Sequence, residues 1–364
     1  MKIALLAHNK FPISEPYAGG LEMITHLLAW RLKAKGHQVH LYALSGSDPE
    51  LDIIPLDTPE FDWEEISKYS QNIQCNEMLE AQMMYSHAIQ KITESDYDII
   101  HNHSMHYLPI QWGAISNKKV ISSFHTPVFK DIHFGLASTR NFNNEYFTVV
   151  SQNLGKIYEP LLPHYHVVYN GIEVNHWDFY PEPIKDQVCW VGRICKEKAP
   201  HTAIDMALKA NKKIILAGPN SESTYYNEQF APLLDHENVT YAGHLKQSEL
   251  NVLMGQSEAT LFTSVWEEPY GLVLAESLAC GTPVIAWKVG ASSEILTEES
   301  GFVVPPFEKD NFVKAISEVT SLNRQNCRDR AEDFCDVSKM VDGYEALYYK
   351  ALDMIKEVKT NEVC

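Results

Sequence analysis

Positive charge is scarce in this 364-residue sequence: 30 Lys and Arg stand against 48 Asp and Glu, for a formal net charge of −18. So acidic a chain repels nucleic acid and anionic surfaces unless its few cations gather at one place. The lysines and arginines are scattered, and no stripe of them alternates with aromatics. Nucleic acid is therefore not an expected partner, whereas a small anion held by a few placed cations is. Cysteine is no richer in pattern. The seven residues (Cys75, Cys189, Cys195, Cys280, Cys327, Cys335 and Cys364) include no CxxC pair and are odd in number, which argues against a disulfide framework or structural zinc and fits a reducing cytoplasm. Long apolar runs are missing too. No stretch reaches the roughly 20 residues of a membrane span. The opening MKIALLAHNKF ends its apolar part at His8, Asn9 and Lys10, short of a signal peptide. The expectation is a cytoplasmic protein with no integral membrane segment; peripheral contact with a membrane and the oligomeric state stay open. Low-complexity tracts and solenoid-length repeats are absent as well, and the sequon Asn238-Val239-Thr240, lacking a secretory signal, reads as chance.

What is present is an alternation of short apolar runs and amphipathic segments. Ile3 and Leu5 lie in a strand-like run, a polar loop with Pro12, Pro16, Gly19 and Gly20 follows, and Ile24, Leu27, Leu28 and Leu32 recur at helical spacing up to Gly36. Val39-His40-Leu41-Tyr42 then alternates as a strand does. This βαβ opening predicts a parallel sheet covered by helices. Further strands are expected at Ile99-Ile100, Val120-Ile121 and Thr148-Val149-Val150, with a polar, aromatic-bearing helical elaboration over about 58–95. A second set starts at Val188-Cys189-Trp190-Val191 and continues through KKIILAGP, VTYAG, ATLFTS, TPVIAW and GFVVP. The segment between the sets carries Pro181, Pro183 and several charges and suits a linker. The reading is α/β with two doubly wound, Rossmann-like domains facing a central cleft: residues 1–174, a linker at 175–186 and a second domain at 187–340, with a C-terminal helix at about 341–358 returning to the first domain. In such sheets ligands bind outside the carboxyl ends of the strands.

The densest chemical pattern is SVWEEPYGLVLAESLACG at 264–281. Glu268 closes a loop after a strand, Pro269 suits a first helical turn, and Gly271-Leu272-Val273 opens a helix. Free N–H groups at a helix start attract phosphate, and Glu276 further along could hold a ribose diol. Two glutamates so spaced could equally solvate a surface helix; their surroundings decide otherwise. The segment resembles the E-x7-E motif of the retaining family-4 glycosyltransferases of the GT-B fold. The likeness extends along nearly the whole chain, through YAGGLE (17–22), DIIHNH (98–103), SFHTP (123–127), VVYNGIEV (167–174), VGRICKEKAP (191–200), YAGHLKQSEL and DGYEALYYKAL. It departs from the family at Ala199, where Gly is frequent, and at Tyr270, where Phe is commonest.

The resemblance implies a retaining glycosyltransferase that moves a hexose-type sugar from a nucleotide-diphosphate donor, UDP favoured over GDP, to a hydroxyl acceptor the sequence does not identify. It implies no catalytic metal and no further cofactor. Arg193 and Lys198 would hold the diphosphate, Glu268 the sugar hydroxyls and Glu276 the ribose. His125 would lie under the sugar, Gly19 and Gly20 would approach the phosphates, and Gly243 and His244 would lie by the base. Tyr270, Gly271, Leu272 and Val273 would complete the nucleotide-sugar site. Surface solvation is the plain alternative for Arg193 and Lys198, and a satisfied structural role the one for His125. Asp96-Tyr97-Asp98 spells the DxD metal signature of another fold, but ahead of DIIHNH these residues read as solvated turn carboxylates. His101, His103 and His106 share a strand and its end without a nearby carboxylate or cysteine in a ligand pattern. YAGGLE lacks the third glycine of G-x-G-x-x-G, against a dehydrogenase. A sugar-nucleotide epimerase on the same fold and a non-catalytic sugar-nucleotide-binding protein are the rival readings.

Overall fold

A computed structural model describes residues 1–58, 76–139 and 145–352. The chain divides into two units: Met1–Val150, Gly155–Val168 and the chain from Met340 form the first, Ser151–Leu154 and Tyr169–Lys339 the second. Each is built on one wholly parallel sheet. This is the outcome expected of buried strands linked by helical crossovers.

In the first unit the strands are β1 (Lys2–Leu6), β2 (Gln38–Ala43), β3 (Asp52–Pro55), β4 (Ile99–Asn102), β5 (Val120–Phe124), β6 (Glu145–Val149) and β7 (His166–Val167). Their order is β3-β2-β1-β4-β5-β6-β7. Ile3 pairs with Val39 on one side and Ile99 on the other. Both faces of β1 are buried, with Ile3, Ala4 and Leu5 at 0% exposure, so the strand reads as a continuous apolar run rather than an alternation. The Gly20–Ala34 helix turns Ile24, Leu28 and Leu32 inward. From Asn76 to Thr93 the expected elaboration is helix; residues 59–75 of it lie outside the described residues. Asp96 and Asp98 fall in the turn ahead of β4, where Lys2 takes both: its Nζ pairs with Asp96, and its N–H donates to Asp98 Oδ2 at 2.7 Å.

The second unit holds β8 (Gln187–Val191), β9 (Lys213–Ala217), β10 (Val239–Tyr241), β11 (Thr260–Phe262), β12 (Val284–Trp287) and β13 (Gly301–Val304). Their order is β10-β9-β8-β11-β12-β13. Trp190, Trp287, Phe230 and Phe312 fill the core beside the aliphatic strand residues. In each sheet the chain reverses its direction of winding once, between β1 and β4 and between β8 and β11. The loops leaving those strands diverge there and open a crevice at their carboxyl ends. No helix among the described residues is long and apolar enough to cross a membrane.

Candidate functional site

In the second unit the crevice is bounded by the loop after β8, residues 192–199, and the loop after β11, residues 263–271. The two are stitched together. Val265 N–H donates to the Glu197 carbonyl at 2.8 Å. Thr263 Oγ1 receives Trp190 Nε1–H at 3.1 Å and lies 3.1 and 2.9 Å from the carbonyls of Lys198 and Ala199, to one of which it donates. This fixes the backbone under Lys198, whose Nζ forms an ion pair with Glu268 Oε2; the side chains are 15% and 19% exposed. The pair joins two of the expected site residues across 70 positions of sequence. Arg193 stands on the same loop, exposed, with its guanidinium 2.6 Å from Glu197 Oε1. Both cations thus carry a carboxylate partner, with which any anionic ligand would have to compete.

Ala199 is left-handed, with φ 49° and ψ 49°, at the start of the Pro200–Lys209 helix. The family's frequent glycine would take this conformation freely, whereas alanine pays about 1–2 kcal/mol. Gly290 shows the opposite economy. Its φ is +58°, and a Cβ there would meet the Glu268 carbonyl at 2.2 Å. Gly290 and Ala291 supply N–H groups to Glu267 Oε2 at 3.1 Å and to the Glu268 carbonyl at 3.1 Å. The loop after β12 therefore braces Glu268 from beneath.

The helix after Glu268 is Leu272–Ala279, with Gly271 in the left-handed region (φ 92°) at its N-cap and no side-chain cap. Its first N–H groups, on Leu272 and Val273, are open to an anion. Pro269 was expected in the first turn; it lies before the helix, because Gly271 makes the sharp entry. Tyr270 is 2% exposed, so its ring is core and only its backbone can meet a ligand. Glu276 is partly buried, and burial pushes its carboxyl up to about 7. Gly243 and His244 follow β10, two strands from β8, or about 10 Å along the sheet; His244 is exposed.

In the first unit Gly19 precedes the Gly20–Ala34 helix, which has no side-chain cap. Glu22 in the first turn points back: an added Cβ at Gly19 would meet Glu22 Oε2 at 3.1 Å. Glu22 Oε1 lies 2.9 Å from His8 Nε2. Burial works to raise this carboxyl, but the His8 ring and the backbone amides of Glu22 and Gly19 outweigh it and hold the group below its usual range. A carboxylate thus already answers the positive end of this helix. His125, just past β5, is 9% exposed with neither ring nitrogen hydrogen-bonded. Its centroid is 4.7 Å from that of His103, and burial pushes it down to about 3. His106 caps the Tyr107–Ile115 helix, its Nδ1 accepting from Leu108 N–H at 3.2 Å, and burial lowers it to about 4. His101 and His103 bond to each other rather than sharing a ligand with His106.

Two family models cover the chain in succession. Residues 18–176 match the model described as Glycosyltransferase Family 4, and residues 177–334 match that of Glycosyl transferases group 1. The chain belongs to this glycosyltransferase family. The glycogen synthase of Mycobacterium tuberculosis is 25% identical over 47% of this chain, which spans only 43% of that protein's length. An uncharacterized glycosyltransferase of Methanocaldococcus jannaschii is 24% identical over 88% of this chain and 89% of its own. Among solved structures, Anabaena HepE in complex with UDP-glucose matches with a TM-score of 0.70 at 19% identity, covering 95% of this chain and 99% of that one. At that identity the likeness carries the fold alone, GT-B.

Three features of the site were not visible in sequence: the Glu22–His8 pair, the Lys198–Glu268 pair and the tilted ring contact of His125 with His103. All depend on residues far apart in the chain, and only the glycine-rich and EPYG contexts hinted that their neighbourhoods were special.

Proposed function

We propose that this glycosyltransferase moves a hexose-type sugar from a nucleotide-diphosphate donor, UDP in preference to GDP, to a hydroxyl acceptor with retention of anomeric configuration. The observation that carries the proposal is the Lys198–Glu268 pair at the mouth of the β8/β11 crevice, beside the uncapped helix start at Leu272. A leaving nucleoside diphosphate gains negative charge as the bond from the anomeric carbon to the phosphate oxygen breaks. Donors fixed before reaction stabilise that charge without reorganising. Lys198, Arg193 and the N–H groups of Leu272 and Val273 form such a set, and Glu268, released from Lys198 by the diphosphate, is free to accept hydrogen bonds from hydroxyls of the sugar. Glu276 suits the ribose diol. The acceptor oxygen bonds to the anomeric carbon on the face the nucleotide leaves, and its proton passes to the departing diphosphate oxygen. His125, neutral and without a hydrogen-bond partner, serves beneath the sugar, where an imidazole nitrogen can face developing positive charge. The positive charge of this set takes the role of a divalent ion, so activity is expected to survive EDTA; full loss on chelation, restored by manganese or magnesium, contradicts the reading. Retention is tested by NMR of the product: the donor's anomeric configuration supports the proposal, and the inverted one overturns it.

A further inference from the structure

Behind His125 lies a chain of buried polar groups that no part of the reaction so far uses. Tyr348, in the Val337–Ala351 helix, is fully buried, and its hydroxyl lies 2.7 Å from His101 Nδ1, its one hydrogen-bond partner among the described residues. His101 Nε2 is 2.6 Å from Ser123 Oγ and 3.0 Å from His103 Nε2. Ser123 Oγ is 2.5 Å from Thr148 Oγ1. His103 Nδ1 is 3.0 Å from Thr25 Oγ1. Thr25, His101, His103 and Thr148 are at 0% exposure and Ser123 at 1%, so water does not complete these bonds.

The protons can be placed by counting. A buried phenol has one proton to give and loses free energy if it is unmatched. Tyr348 has only His101 Nδ1 to give it to. His101 Nδ1 is then an acceptor, and a neutral ring carries its hydrogen on Nε2. That hydrogen is shared between Ser123 Oγ and His103 Nε2, leaving Ser123 to donate to Thr148. Only one proton fits between the two Nε2 atoms, so His103 Nε2 accepts. His103 is therefore protonated on Nδ1 and donates to Thr25. Burial lowers both imidazoles well below the usual value, in keeping with two neutral rings. The phenol at one end thus fixes the tautomer of both histidines, and the Thr25 hydroxyl at the other accepts the last proton and anchors the His103 ring. The immobilised His103 ring is what His125 rests against, the two centroids 4.7 Å apart, and His125 has no hydrogen bond of its own to hold it.

We propose that Tyr348 and Thr25 are positioning residues for His125: through the fixed tautomers of His101 and His103 they set the plane of the ring that His125 packs on. The proposal rests on the reading of His125 as the group beneath the transferred sugar. Two variants remove a hydroxyl while keeping shape, Tyr348→Phe and Thr25→Val, and Thr25→Ser keeps the hydroxyl.

The test joins long-range 1H–15N spectra of 15N-histidine-labelled protein with steady-state kinetics. Expected in the wild type are neutral rings with the proton on Nε2 of His101 and on Nδ1 of His103. In Tyr348→Phe the His101 signals, and with them those of His103, become those of mixed tautomers, whereas in Thr25→Val the tautomers hold and the His103 Nδ1 signal shifts as its proton loses its acceptor. In both variants kcat falls about tenfold with donor KM unchanged, and Thr25→Ser restores both readouts. A wild-type His101 carrying its proton on Nδ1 overturns the relay. Unchanged kcat in the two variants overturns the positioning role. Should Tyr348→Phe fail to fold, the wild-type tautomers and Thr25→Val still decide. The tautomers are read without substrate, so failure of the transferase reading shows separately, as absence of wild-type turnover.

Discussion

Acidification from pH 7.5 to 5.5 should destabilise the first unit selectively. His101 and His103 are at 0% exposure and His125 at 9%, and burial, the largest cause in each, lowers all three, His125 to about 3. In the unfolded chain each titrates near 6.5. Between the folded and unfolded values the unfolded state binds more protons, so stability rises with pH. The contribution is complete above pH 6.5 and is lost progressively as pH falls below it. His106, which burial lowers to about 4, joins them: at pH 5.5 each of the four is about one unit below its unfolded value, costing about 1.4 kcal/mol, or about 6 kcal/mol for four. That is a large share of the roughly 5–15 kcal/mol that a domain possesses. The measurement is hydrogen exchange by mass spectrometry in peptides covering β1 and β4, corrected for the intrinsic pH dependence of exchange. His125→Phe supplies the control. Neither His125 nitrogen is hydrogen-bonded, so the change breaks no bond and removes one titrating group, and the drop should shrink to about 4 kcal/mol. Equal protection at both pH values would refute the reasoning, as would a His125→Phe drop as deep as that of the wild type.

Other outcomes follow from the second unit. Lys198→Ala and Arg193→Ala should each lower turnover about a hundredfold, each losing one charge-assisted contact to the leaving diphosphate; near-normal kcat/KM in both removes these residues from the site. Burial holds Glu276 at about 7, and only the carboxylate can accept two ribose hydroxyls. UDP binding measured by calorimetry should therefore weaken as pH falls from 8 to 6, by up to about tenfold per unit below 7, and a flat profile contradicts the ribose assignment. Gly290→Ala puts a Cβ 2.2 Å from the Glu268 carbonyl at a φ of +58°. It should cost on the order of 2 kcal/mol or more in urea unfolding of the second unit and depress turnover, whereas wild-type values would show that the loop under Glu268 is free to move.

Much of the fold is written locally in the chain. The runs at Val120-Ile121, Val188–Val191 and TPVIAW are β5, β8 and β12 because a parallel strand buried on both faces needs an unbroken apolar stretch. β3 and β7 escaped that rule. DIIP at Asp52–Pro55 is an edge strand exposed at both ends, and His166–Val167 is only two residues long, too little for any periodicity. The helix after Glu268 was legible from Gly271, but its entry was not: a proline suits a first turn in isolation, and only the left-handed glycine shows that the turn begins later. Tyr270 reads as part of the ligand site because it sits inside EPYG; its ring is 2% exposed, which leaves its backbone to meet a ligand. The pairing of charges was the least legible feature. Lys198 and Glu268 meet because β8 and β11 are sheet neighbours, a fact of topology, and Glu22 reaches His8 across the β1 loop.

The central claim is most directly tested by incubating the purified chain with a panel of UDP- and GDP-sugars and following release of the nucleoside diphosphate, with Lys198→Ala and Glu268→Gln run alongside. Release is expected from at least one donor, UDP-linked before GDP-linked, reduced about a hundredfold in Lys198→Ala and strongly in Glu268→Gln. Binding and release of no nucleotide sugar by the folded wild type, or release that both variants leave untouched, would contradict it.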